Sequence, residues 1–261
     1  MTTYHNLQLQ LSEHSALLTL QNPPAHTWTL ESLHALRDLV SDMNRNAQIS
    51  SLIISGDGAK FFSAGADLKL FADGDLGRAQ QMASAFGAAF EALADFRGLS
   101  IAAINGYAMG GGLECALACD LRIAEQHAQL ALPEASVGLL PCAGGTQNLT
   151  SLVGEAWAKR MILLGQRVDA DTALRIGLVD EVVASGGAVE AAMQWQQQLA
   201  KQSPDAVYAC KRLIQGSRSL SPKQMLPLER EAFLRLFGQP NQTEGVNAFL
   251  QKRAPDWHYP A

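Results

Sequence analysis

In YAMGGGLECALACD, residues 107–120, three consecutive glycines run directly into an apolar helical stretch that carries a single carboxylate, Glu114. Glycines let the backbone turn tightly and bring bare N–H groups close to a ligand. The first N–H groups of the helix that follows have no partner within it, and the helix dipole makes that end positive. Such an end suits an oxygen that becomes negative during a reaction. One turn of chain thus supplies an acid/base group and an oxyanion donor together, and the rest of the sequence reads as a frame completing this site.

Upstream, residues 101–104 read as a strand and 78–97 as a long alanine-rich helix, while FFSAGADL at 61–68 again passes from a turn through glycine towards a helix. Residues 51–54 form a buried strand that ends in the turn Gly56-Asp57-Gly58. Before it, Leu33, Leu36, Leu39, Val40 and Met43 give residues 29–43 helical spacing, and Asn22-Pro23-Pro24 stops the preceding strand. Leu7, Leu9 and Leu11 alternate with polar residues, and with the apolar run 16–20 they predict a hairpin around residues 12–15. Downstream come short strands at 121–124 and 129–132, then PEASVGLLPCAGGTQNL at 133–149, a loop whose second Gly-Gly pair leads into a helix. A strand, a glycine-bearing turn and a helix therefore recur at least twice, which suggests stacked β-β-α units. The last third changes character: residues 189–201, 204–215, 222–237 and 242–253 read as four helices, two of them opened by Ser-Pro. The expected boundary lies near Gly186-Gly187, giving a core over 1–187 and a helical region over 188–261.

The 261 residues are 48% hydrophobic and only 17% charged, which suggests much buried surface, subunit contacts included. A net charge of −5 offers no basic stripe for nucleic acid. The four cysteines, Cys115, Cys119, Cys142 and Cys210, form no C-x-x-C pair; Cys115 and Cys119 with His127 are conceivable metal ligands, but small residues packing in a core helix are the preferred reading. The start MTTYHNLQLQL has no basic region followed by an apolar run, and no stretch reads as a membrane span, so the expected compartment is cytoplasmic. No Gly-Lys pair and no G-x-S-x-G elbow occurs, which sets aside phosphate-loop hydrolases and serine hydrolases. Ser63 is read as a structural or ligand-shaping serine rather than a nucleophile.

Two carboxylates stand apart. Glu114 is the only formally charged residue between Arg97 and Asp120, and Glu134 the only one between Glu125 and Glu155. An unpaired carboxylate in a buried stretch is costly and has its pKa raised, which suits general acid/base work. Each glutamate also lies beside a glycine-rich helix start, which favours a task over a helix cap.

FFSAGADL at 61–68, INGYAMGGGLECALACDLRIA at 104–124 and PEASVGLLPCAGGTQNL at 133–149 resemble, in order and spacing, the enoyl-CoA hydratase/isomerase (crotonase) family. The resemblance runs from the N-terminal hairpin to FLQKR at 249–253. It implies an α/β fold, a crotonase-like spiral of β-β-α units with a helical C-terminal region that makes trimers, often paired into hexamers. It implies an acyl-CoA thioester substrate, with coenzyme A as part of the substrate and no metal or redox cofactor, and no nucleic-acid or membrane partner. The activity it implies is syn addition of water to 2-enoyl-CoA, as in fatty-acid β-oxidation. Catalytic roles fall on Glu114, to deprotonate the water, and Glu134, to protonate the α-carbon, with the N–H groups of Ala64 and Gly111 as oxyanion hole. Coenzyme A is expected near the backbone of Ala64, Ala66, Asp67 and Leu68, with Lys252 of a neighbouring subunit reaching a phosphate and residues 70–93 lining the acyl pocket. This sequence departs from the family at Cys142 and His26, where glycine and asparagine are usual, and at Asn148, where arginine is. Cys142 is expected to narrow or reshape the pocket, and Asn148 to affect surface or subunit contacts more than chemistry. The same fold hosts double-bond isomerases, decarboxylases and hydrolases, which stay open as alternatives; an RNA-binding relative fits the acidic balance poorly, and a non-catalytic scaffold fits two retained glutamates poorly.

Overall fold

A short β1 (Thr2–Tyr4) precedes the hairpin formed by the alternating leucines, β2 (Leu7–Ser12) and β3 (Ser15–Leu20). This computed structural model describes residues 2–46 and 48–259; residues 1, 47, 260 and 261, which the expected spans take in, lie outside the described residues. Thr29 then caps α1 (Leu30–Arg45), with Ser32 N–H donating to its Oγ1 at 3.2 Å, and the helix buries the leucines expected from their spacing.

Each following turn of chain lays one strand in each of two sheets and returns through a helix. β4 (Ser51–Gly56) crosses to β5 (Phe61–Ser63) and then α2 (Leu76–Ala94). β6 (Leu99–Ile104) crosses to β7 (Tyr107–Met109) and α3 (Gly111–Ala118). β8 (Leu121–Glu125) crosses to β9 (Gln129–Ala131), a 3-10 turn at Glu134–Val137 and α4 (Gly145–Leu163). The large sheet takes the order β1-β2-β3-β4-β6-β8 and closes on β11 (Glu181–Val183), parallel from β3 onward. In the small sheet, β5, β7 and β9 run parallel and β10 (Val168–Asp169) is antiparallel to β9; α5 (Ala170–Arg175) follows β10. β4 is buried at every position because strands flank it and its two faces are covered, hence its unbroken uncharged run. Three complete β-β-α turns are present among the described residues. A fourth is reduced to one bridge, Trp28 to Ala66, ahead of α1. The architecture is the crotonase-like α/β spiral.

Asn105, at the end of β6, is buried and ties that strand to its neighbour. It donates to Gly56 O at 2.9 Å and Gly58 O at 2.7 Å and accepts from Gly56 N–H at 3.0 Å. Behind the small sheet, Trp28, Phe90 and Phe86 stack edge to face, with 5.6 Å between centroids in both pairs.

The chain divides into two compact units, at Met193 and Gln194. α6 (Ala188–Leu199) begins within the first, where Ala188, Ala191 and Ala192 are buried and Ala188 N–H meets the Glu125 carboxylate at 3.4 Å. The second unit holds α7 (Pro204–Gly216), α8 (Pro222–Leu236) and α9 (Pro240–Leu250), each with proline in its first turn. α9 starts two residues earlier than its spacing predicts, with Pro240 at its first position, and stops three residues earlier, where Arg253 folds back to grip Glu244 through two hydrogen bonds of 2.5 and 2.8 Å. No helix among the described residues is long and apolar enough to cross a membrane.

Candidate active site

The C-terminal ends of β5 and β7 lie side by side, with Ser63 paired to Ala108, so the two glycine turns that follow them meet. A Cβ added to Gly65 (φ +84) would stand 2.7 Å from Met109 O and 2.9 Å from Gly111 N. The approach is possible only because glycine has no side chain and tolerates positive φ. Ser63 shapes the first turn, as the sequence reading has it: its Oγ donates to His26 O at 2.7 Å and accepts from Gly65 N–H at 3.2 Å.

The oxyanion donor assigned to the first turn needs correction. The Ala64 N–H is occupied, donating to Ala25 O at 2.9 Å. Trp28 N–H donates to Gly65 O at 2.8 Å, which turns the Gly65 carbonyl towards Trp28. In a planar trans peptide the N–H points opposite to the C=O, so the Ala66 N–H points away from Trp28. Ala66 and Gly111 both line one cavity, and among the described residues neither N–H has an acceptor. The free pair of donors is therefore Ala66 and Gly111.

That cavity, about 670 Å³, lies in the first unit and also takes in Ala64, Leu68, Glu114 and Glu134. Asp67 falls between two of its residues, with its carboxylate turned to the N–H of Lys69 at 3.0 Å. Phe71, Ala79, Met82, Ala83 and Phe86 give it an apolar wall from within residues 70–93. Val137, Leu139 and Leu140 form a further wall. The sequence reading missed it, although an apolar VGLL inside a loop was the signal available. Lys252 belongs to the second unit, in a left-handed conformation (φ +54) just beyond α9.

The two carboxylates differ in their surroundings. Glu114 is 2% exposed in the first turn of α3, and its Oε1 accepts from Ala143 N–H at 2.7 Å and Gly145 N–H at 2.9 Å. Burial raises its pKa, opposed by these N–H groups and that of Cys142, which favour the ionised form. Among the described residues Glu134 meets only its own backbone N–H, and its Oε2 is buried with no partner. Burial first, and then the charge of Glu114, push its carboxyl up to about 7. Its Oε1 lies against the second glycine turn, 2.9 Å from where a Cβ on Gly110 would be. Two carboxyl groups in one cavity thus stand in unequal surroundings, main-chain donors favouring the ionised form of Glu114 while burial favours the neutral form of Glu134, the kind of asymmetry an acid and a base require.

The departures from the family pattern find their places. Cys142 faces the cavity, and partial burial followed by the charges of Glu114 and Glu134 pushes its thiol up to about 11, so it stands there neutral. His26 accepts from Asn22 N–H at 3.1 Å through Nδ1, so its Nε2–H donates to Asp57 O at 2.8 Å and pins the 22–28 loop beside the first turn. Asn148 lies over Gly144, in the turn that feeds Glu114 its donors. Cys119 bonds back to Cys115 O at 3.6 Å within the core, and His127 bonds Ser185 Oγ and Ala59 O instead of either cysteine.

A sequence profile of the family described as enoyl-CoA hydratase/isomerase matches residues 11–260. The chain is 38% identical over 244 residues to 2,3-dehydroadipyl-CoA hydratase of Escherichia coli K12, covering 92% of this chain and 94% of that one. Among solved structures it is similar to Pseudomonas aeruginosa DspI, at 60% identity and a TM-score of 0.96 over 99% of this chain and 98% of that one. An enoyl-CoA hydratase from Bacillus anthracis is 32% identical with a TM-score of 0.94, covering 98% and 100% of the two chains.

Proposed function

Because the chain belongs to the enoyl-CoA hydratase/isomerase family, we propose that it hydrates 2-enoyl-CoA thioesters to 3-hydroxyacyl-CoA with the residues gathered in this cavity. The observation that carries the reading is the unequal pair: a Glu114 whose Oε1 accepts two main-chain N–H groups that favour its ionised form, and a Glu134 whose buried Oε2 has no partner and whose carboxyl is pushed up to about 7.

The thioester oxygen accepts from Ala66 and Gly111 N–H. Ionised Glu114 takes a proton from water as the water oxygen bonds to the β-carbon. The π electrons move onto the thioester oxygen, where the two donors stabilise the developing charge. Protonated Glu134 then delivers its proton to the α-carbon, and the carbonyl re-forms. One water contributes the hydroxyl, and its proton is retained on Glu114. The pair ends with its single proton on the other partner and resets by exchange with solvent. With both groups facing one cavity, both additions fall on one face of the double bond.

Coenzyme A, as part of the substrate, enters past the backbone of residues 64–68, and Lys252 of a neighbouring copy is the candidate for its phosphate. The chemistry calls for no metal or redox cofactor. Exposed Phe233, Leu234, Phe237, Phe249 and Leu250 in the second unit support a homotrimer or a hexamer built from trimers; the compartment proposed for it is the cytoplasm.

The test is turnover on a panel of acyl-CoA esters. Hydration removes the conjugated enoyl-thioester absorbance without releasing free thiol. Thiol release, or a 3-enoyl ester turned over faster than any 2-enoyl ester, would replace hydration with hydrolysis or isomerisation. The pH dependence has a definite sign: hydration needs Glu134 protonated and Glu114 ionised. The kcat/KM profile therefore falls as pH rises through about 7, and falls again at acid pH as Glu114 is protonated. A profile still climbing at pH 9 would contradict the assignment of Glu134 as acid.

A further inference from the structure

Residues 134–140, EASVGLL, put the acid and an apolar wall on one short piece of chain. The 3-10 turn Glu134–Val137 is followed by Gly138 (φ +75) and then by Leu139 and Leu140. Val137, Leu139 and Leu140 are 51%, 43% and 69% exposed, and all three line the cavity that Glu134 lines. Large apolar side chains left open on an apolar cavity are surface for a ligand to cover.

The backbone hydrogen bonds of this segment close on themselves. Ser136 N–H donates to Pro133 O, Gly138 N–H to Ala135 O and Leu139 N–H to Glu134 O, at 3.0, 3.2 and 3.0 Å. Among the described residues no backbone hydrogen bond ties 134–140 to a strand or to a long helix. With Glu134 Oε2 also lacking a partner, packing rather than hydrogen bonds to a strand or a long helix sets where the acid stands.

The geometry points to a chain-length selector: the acyl tail packs on Leu139 and Leu140 and so seats the turn that carries Glu134, and longer 2-enoyl thioesters turn over faster than a four-carbon one. This rests on the hydratase reading. A cavity of about 670 Å³ holds on the order of twenty heavy atoms at ~30 Å³ each, and a four-carbon acyl group leaves much of its apolar wall bare. Binding energy from a part of the substrate remote from the reacting carbons then holds the proton donor in place, which raises kcat as well as affinity. Leu139 and Leu140 act as positioning residues through Glu134.

The experiment measures kcat and KM on 2-enoyl-CoA esters of four, eight and twelve carbons, for the native protein and two double variants. One is Leu139→Ser with Leu140→Ser; the other, Leu139→Met with Leu140→Met, restores apolar surface. In the native protein kcat rises at least ~10-fold from the four-carbon ester to the longer ones. The serine pair brings that ratio to within about threefold of one, and the methionine pair recovers most of it. A chain-length effect confined to KM, or a kcat ratio that survives the serine pair, overturns the selector. Absence of hydration on every ester overturns the hydratase reading and takes the selector with it, so hydration of any one ester by the native protein tells the two failures apart.

Discussion

Glu114→Gln and Glu134→Gln are each expected to lower kcat for hydration ~100- to 10,000-fold, with KM for the thioester changed by no more than about threefold. In Glu114→Gln the amide keeps an oxygen to accept the Ala143 and Gly145 N–H groups, so the turn at 142–145 stays formed. The remaining carboxylate oxygen gives way to an amide nitrogen that cannot take a proton from water. In Glu134→Gln the amide is neutral, as protonated Glu134 is, yet has no acidic proton for the α-carbon. Each change leaves the oxyanion donors and the apolar walls in place, and binding of a saturated acyl-CoA, followed by calorimetry, stays close to native. The double variant loses little more than either single one, because base and acid act in one addition. Turnover within tenfold of native in either single variant would remove that residue from the mechanism.

Gly65→Ala is expected to lower kcat/KM ~100- to 1,000-fold, the loss associated with one oxyanion donor. The new methyl group would meet Met109 O at 2.7 Å and Gly111 N at 2.9 Å. Both are backbone atoms of the second glycine turn, so the two turns must part, and the Ala66 and Gly111 donors part with them. Gly58→Ala is the control. Gly58 also has positive φ (+73), but nothing lies within 4 Å of its added Cβ. Both variants carry the backbone strain, about 1 kcal/mol, visible as a lower melting temperature. Only Gly65→Ala loses activity. Equal loss in the two would mean that general destabilisation, and not separation of the donors, accounts for the effect.

Much of the fold was legible in the sequence because its signals are local. Leucine alternation gives the 7–20 hairpin, helical spacing gives α1, and uncharged runs bounded by glycine give β4 and β6. Six short elements escaped: β1, β5, β7, β10, α5 and β11 span two to six residues, too few for a period to repeat. Strands this short are defined by their partners, as when Val168 and Asp169 pair with Leu130 and Gln129. The second long helix, α2, starts two residues before its expected beginning and ends three residues before its expected end, since Asp75 caps it and Asp95 closes it.

By itself the sequence determined the repeating β-β-α plan, the two glycine turns and the two carboxylates isolated in uncharged stretches, because each is written in neighbouring residues. Tertiary structure alone decided which N–H of the first turn is free, since Ala25 O occupies Ala64 and Trp28 orients the peptide of Ala66 from some forty residues away. It also decided which carboxylate meets main-chain donors: the N–H groups of Ala143 and Gly145 reach Glu114, and none reaches the Oε2 of Glu134. A hydrogen bond depends on where two groups end up in space, and groups so distant along the chain leave no periodic trace of that meeting.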